Sequence, residues 1–165
     1  MAWTQPKTWS NEPLIAGDMN THIRDNLNAL KDPPSDVNIF DSSAFATSST
    51  SFVDVDATYL SSTITTNGGD VLVVLCVPIR HTATSYVDLD ITIDGTRQGG
   101  TNGIIRFRTL GSGFNDVVTL VYMLTNLSAG SHTIALQWKT ASGIATMSSL
   151  GNGGFAAQWF VREVS

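Results

Sequence analysis

The sequence predicts a mainly β protein, a jelly-roll β-sandwich preceded by an extended N-terminal arm and one short α-helix. Three observations carry that expectation. Residues 51–165 break into about nine short apolar segments at regular spacing, with Gly, Asn and Ser turns between them. Only one stretch, 18–31, repeats its apolar residues at a helical period. The 165 residues are 42% hydrophobic and 14% charged, which suffices for one core but not for two large domains.

Three segments follow: an attachment arm and helix over 1–34, a linker over 35–50 and a head over 51–165. The arm carries Trp3, Pro6, Trp9 and Pro13 at close spacing, so no regular period runs through it. Its two tryptophans have no local core and need apolar surface on the β domain, on a sister chain or on a larger particle. The helix is expected over 18–31, with Gly17 and Asp18 at its cap and Pro33 and Pro34 as its stop. Asn20, Ile23, Leu27 and Leu30 form a narrow seam of coiled-coil spacing with an asparagine inside it. Roughly fourteen residues are marginal as an isolated helix in water. The seam therefore requires a partner, either its own β domain or sister helices around a threefold axis, with Asn20 fixing register. Residues 35–50 are rich in Ser, Thr and Asp, with isolated Ile39, Phe40 and Phe45 to hold a linker against a surface.

The strands are expected over 51–55, 59–66, 71–79, 87–93, 104–108, 116–125, 132–140, 144–149 and 155–164. Residues 71–79 are continuously apolar, as in a strand central to its sheet. In 87–93, Val87, Leu89, Ile91 and Ile93 share one face and Asp88, Asp90 and Thr92 the other, and Asp94-Gly95 signals a hairpin. Cys76 lies inside an apolar run and reads as a small buried hydrophobe.

A net charge of −5 with no basic run argues against nucleic acid as a partner. No apolar run is long enough to insert in a membrane, and the N-terminus lacks a basic region and apolar core of a signal peptide, so synthesis in the cytoplasm is expected. The acid pairs Asp54/Asp56 and Asp88/Asp90 fit calcium ligation or glycoside hydrolysis in type, but neither sits in a Gly-rich ligand loop, and solubilising an outward strand face explains them as well. His22, His81 and His132 are scattered without metal spacing, and no serine sits in a nucleophile elbow. No enzyme activity, metal or cofactor is expected. Trp138 and Trp159 lie on strands, where they serve either the core or an aromatic platform for sugar rings. The segments 80–86 and 97–103 gather Arg80, His81, Tyr86 and Arg97, side chains suited to hydrogen-bonding a glycan from exposed loops.

The stretch 9–31 resembles the N-terminal segment of many tailed-bacteriophage virion proteins, in which a Trp-containing leader precedes a G-D-x-N-x-x-I-R-D-N-L helix. The match falls on Gly17, Asp18, Asn20, Ile23, Arg24, Asp25, Asn26 and Leu27. The β part is similar to the heads that follow such segments in phage fibre, tail and head-decoration proteins, an architecture shared with C1q-like and tumour-necrosis-factor-like heads. The resemblance implies a homotrimeric structural protein on the virion surface, attached to capsid or tail subunits through Trp3, Trp9 and the helix. With no repetitive shaft, a capsid decoration or short head fibre is the favoured form. The alternative is an adhesin that binds a host surface glycan through loops of the head.

Overall fold

A computed structural model of the chain describes residues 5, 7–10, 12–13, 15–40, 43–112, 115–148 and 156–164. The helix comes first, in three consecutive pieces: α1 (Ala16–Met19), a π-helical turn (Asn20–Arg24) and α2 (Asp25–Lys31). The junction residues Met19, Asn20, Arg24 and Asp25 all keep right-handed helical angles, so the pieces form one rod. It starts earlier than the expected Gly17/Asp18 cap, after Ile15, which makes no side-chain cap. Asp18 instead lies in the first turn, where a carboxylate suits the positive end of the helix. Asp32, restricted by the proline after it, leaves the helical region and ends the rod.

Two antiparallel sheets form a jelly-roll sandwich. In the first, β5 (Gly69–His81) is central. Strands β12 (Ala157–Glu163) and β11 (Ala145–Ser148) lie end to end along one side of it, and β9 (Asn115–Leu127) lies along the other. Beyond them, β1 (Ser35–Phe40) pairs with β12 and β2 (Ala44–Thr47) with β11. The segment expected as a linker thus contributes two sheet strands. Their sequence concealed it, because β1 turns Val37 and Ile39 outward and polar Asp36 and Asn38 inward, inverting the usual alternation.

The second sheet is built on β10 (Gly130–Thr140). Strands β3 (Val53–Asp54) and β4 (Ser61–Thr66) pair with one side of β10, and β6 (Tyr86–Ile93) with the other. The far side of β6 carries β7 (Thr96–Arg97) and β8 (Ile105–Arg108). The β6–β7 hairpin turns at Asp94 and Gly95, both at positive φ (49° and 80°), as the Asp-Gly pair predicts.

The core between the sheets is apolar and closed: Val73, Leu75, Val77 and Ile79 of β5 meet Leu89 and Ile91 of β6 and Ile134 and Leu136 of β10 in one cluster. Trp138 and Trp159 are both buried in it, so neither forms a sugar platform, and the Trp159 Nε1–H donates to Ser62 Oγ at 2.8 Å. Cys76 departs from its expected burial. It takes the outward parity of β5 and is partly exposed on the outer face of the first sheet.

Candidate functional site

The arm and helix form the first candidate. Ile15, Met19, Ile23, Leu27 and Leu30 are 39–66% exposed. A four-residue step overshoots a full turn of an α-helix at 3.6 residues per turn and falls short in the wider π-helical turn, so Asn20–Arg24 brings Ile23 and Leu27 back into line with Ile15 and Met19. Ile15 and Met19 thus join Ile23, Leu27 and Leu30, of the expected 20/23/27/30 seam, on one exposed stripe. Asn20 is exposed at the start of the π turn, and the buried asparagine is Asn26, whose Nδ2 donates to the His22 carbonyl at 3.2 Å.

Polar contacts fasten the arm back along the rod. Lys7 Nζ donates to Asp18 Oδ2 at 2.5 Å and pairs with Glu12 at 3.2 Å, while His22 Nδ1 meets the Gln5 carbonyl at 3.1 Å. Asp18, then Glu12, holds the Lys7 ammonium above its ordinary pKa. The same ammonium lies 5.1 Å from the ring centre of Trp9, which keeps about a third of its surface exposed. Trp3 lies outside the described residues.

The four residues read as a ligand-binding group are not brought together. Arg80 is exposed at one end of the outer face of the first sheet. His81 is 3% exposed: Nε2 meets Thr140 Oγ1 at 2.8 Å, and Nδ1 faces the Ala83 carbonyl at 2.7 Å. Burial at the end of β5 makes it a brace between strand ends, not a recognition side chain. Tyr86 and Arg97, by contrast, share the outer face of the second sheet.

That face carries a polar network in which the acids are paired and not solvated. Asp88 and Asp90 are buried. Cross-strand pairing places Arg106 and Lys139 on either side of Asp88. Arg106 grips the carboxylate in two places, at 2.6 and 3.0 Å, and Lys139 Nζ stands 3.5 Å away. The Asp88 carboxylate raises the pKa of Arg106, fixing its charge. Asp90 Oδ1 accepts the Ile91 and Gly99 N–H groups at 2.8 Å, and Oδ2 accepts Arg97 Nε at 2.7 Å. Arg97 also donates to the Gly100 carbonyl at 2.6 Å and lies 3.7 Å over the Phe52 ring, closing residues 97–103 as a flap. Both oxygens of each acid are thus occupied, which leaves this pair unsuited to a metal or to proton transfer. The missed signal was the reciprocal placement of Arg97, Arg106 and Lys139 on neighbouring strands.

Among the described residues no cluster of three or more His, Cys, Asp or Glu stands ready for a metal ion, and no helix is long and apolar enough to cross a membrane.

No protein-family model and no curated protein matches the chain. Among solved structures it is similar to Eiger TNF from S. frugiperda, at 13% identity and a TM-score of 0.46, covering 80% of this chain and 94% of that one. It is also similar to infectious bursal disease virus, Gx strain, at 14% identity and a TM-score of 0.42, covering 81% of this chain and 38% of that chain. The VP2 subviral particle of the same virus gives 14% identity and a TM-score of 0.40, covering 79% and 38%. The chain spans well under half of the viral chains it matches, and the likeness concerns the fold alone.

Proposed function

We propose that the chain is a non-enzymatic structural protein of a phage virion, a homotrimeric capsid decoration or short head fibre held on the particle by its arm and helix. The observation that carries this is the apolar stripe Ile15, Met19, Ile23, Leu27 and Leu30, exposed on a helix along which Lys7 and Gln5 fasten the arm. Five such side chains, about half exposed, stand to gain about 4–8 kcal/mol on burial, before the costs of association. Sister helices around a threefold axis supply that burial, and the resemblance of 9–31 to phage N-terminal segments agrees with it. Trp9, exposed on the arm beside Lys7, is the docking side chain toward the particle. Attachment works by mass action: a chain that binds only the assembled particle stabilises it, and three linked arms multiply one modest affinity.

The test is loading onto particles assembled without this protein. Trp9→Ala, and deletion of residues 1–13, should reduce loading while the circular dichroism of the head stays unchanged. Normal loading by both variants would contradict the proposal.

A further inference from the structure

We propose that the outer face of the second sheet, where β6 pairs with β8, is a binding site for a carboxylate-bearing polysaccharide, with Tyr86, Arg106 and Arg108 as its contact side chains. The site is separate from the helix and does not depend on assembly.

The register brings these side chains together. Tyr86 lies directly opposite Arg108 in the β6–β8 ladder, and two residues along Arg106 lies opposite Asp88. All share one face, because alternate residues of a strand point the same way. Directly opposed side chains start about 5 Å apart and diagonal neighbours about 7–8 Å, within reach of long and aromatic groups. The Arg106 guanidinium carbon accordingly stands 5.1 Å from the centre of the Tyr86 ring. Tyr86 is 44% exposed, and Arg106 and Arg108 take the exposed positions of β8.

The charges on this face do not cancel. Arg97, Arg106, Arg108 and Lys139 are four of the nine Lys and Arg of the chain, and three acids, Asp54, Asp88 and Asp90, share the face with them. In a chain of net charge −5 that is a positive patch. Asp90 is answered by Arg97, but Asp88 by both Arg106 and Lys139. Among the described residues Arg108 enters no ion pair. Positive charge is therefore in surplus at Asp88 and at Arg108, while Asp54 turns to Gln137 at 2.7 Å beyond β10.

The geometry selects the ligand. Asp88 takes Nε and Nη2 of Arg106, which fixes the guanidinium plane, and the side chain, 39% exposed, presents its remaining N–H donors to solvent. A planar fork already held in place matches a planar carboxylate. The half-exposed Tyr86 ring beside it offers an apolar face to the C–H face of a sugar. A neutral sugar leaves the surplus charge unanswered, and four cations on an acidic chain are too few to track a nucleic-acid backbone. Of the side chains expected to meet a glycan, Tyr86 alone belongs here: His81 is buried, Arg80 lies on the other sheet and Arg97 is tied to Asp90. Arg106 and Arg108 take their place, on a strand face and not on loops.

The test is calorimetric titration of the full chain with tetragalacturonate, beside its methyl ester and beside tetraglutamate. Tetragalacturonate should bind with a Kd of about 1 mM or tighter. The methyl ester, which keeps the rings and loses the charge, should bind about tenfold more weakly. Arg108→Ala and Tyr86→Leu, both at exposed positions, should each weaken tetragalacturonate about tenfold with the urea midpoint close to that of the wild type. Arg108→Lys, which keeps the charge and loses the fork, should recover only part of the affinity. Arg162→Ala, on the first sheet, should change nothing. No saturation by tetragalacturonate at about 10 mM, or equal binding of acid and ester by the wild type, would overturn the site, and this comparison stands even where a variant misfolds. Tetraglutamate binding as tightly, with Tyr86→Leu without effect, would overturn the carbohydrate assignment and make the face a site for an acidic peptide. Arg108→Ala should load onto particles as the wild type does, so failure of this site and failure of attachment are read separately.

Discussion

Replacing Arg97 with Ala tests whether the flap over the second sheet is held by its buried acid. The Asp90 side chain is wholly buried, while Arg97 keeps a third of its surface in solvent. Truncation removes the charged hydrogen bond to Asp90, the bond to the Gly100 carbonyl and the contact with the Phe52 ring. It leaves a buried carboxylate with only the Ile91 and Gly99 N–H groups as donors. Removing one partner of a buried pair costs roughly 3–5 kcal/mol. The solvent exposure of the guanidinium screens part of the interaction, so we expect the low end, about 3 kcal/mol. For a chain of this length that corresponds to a fall in Tm of about 6–12 °C. The assay is urea denaturation followed by tryptophan fluorescence, with the slope unchanged and the midpoint lowered. Asp90→Asn completes a double-mutant cycle, whose coupling should exceed about 1 kcal/mol. A loss under 1 kcal/mol for Arg97→Ala, or no coupling, would refute the idea that this pair fastens the flap.

Two further predictions concern the same sheet. Gly103 sits at φ +71°, and an added Cβ would stand 2.3 Å from the Leu89 carbonyl oxygen, whereas Gly95 at φ +80° has open space around it. Gly95→Ala should therefore cost about 1–2 kcal/mol, the left-handed backbone penalty alone, and Gly103→Ala clearly more; equal urea midpoints for the two would contradict the close approach. His132 offers Nδ1 to Asp94 at 2.8 Å and Nε2 to the Ser128 carbonyl at 3.0 Å, an arrangement that needs the doubly protonated ring. Asp94 first, then Ser128, raises the His132 pKa above its ordinary value of 6.5, so this stabilisation is complete below about pH 6.5 and disappears as pH rises through the raised value. The Thr133 N–H, then His132, lowers the Asp94 pKa below 3.8, so its contribution holds above that value and is lost as pH falls through the lowered one. Thermal melts from pH 5 to 9 should show a decline on the alkaline side that His132→Gln flattens, and identical profiles would count against it.

Much of the sandwich was legible because its signals are local. The continuous apolar run gave central β5, the alternation in 87–93 gave β6, and Asp94-Gly95 gave the hairpin at positive φ. What escaped depends on partners distant in sequence. Strand β1 looks like linker because its apolar side chains face outward and its pairing residues lie in 157–162. Asp88 and Asp90 look solvated until the register sets Arg106 and Lys139 beside one of them and the Arg97 turn covers the other. The helix is legible in its period, but a π-helical turn, invisible to a count of threes and fours, brings Ile15 and Met19 onto the same exposed stripe.

We propose that this chain functions as an assembly of copies, because its helix leaves apolar side chains exposed. Sedimentation equilibrium of the unmodified full chain over a hundredfold range of concentration tests it most directly. The expected result is a reversible approach to three times the 17.7 kDa monomer mass as concentration rises. A mass of 17.7 kDa throughout the range would contradict it.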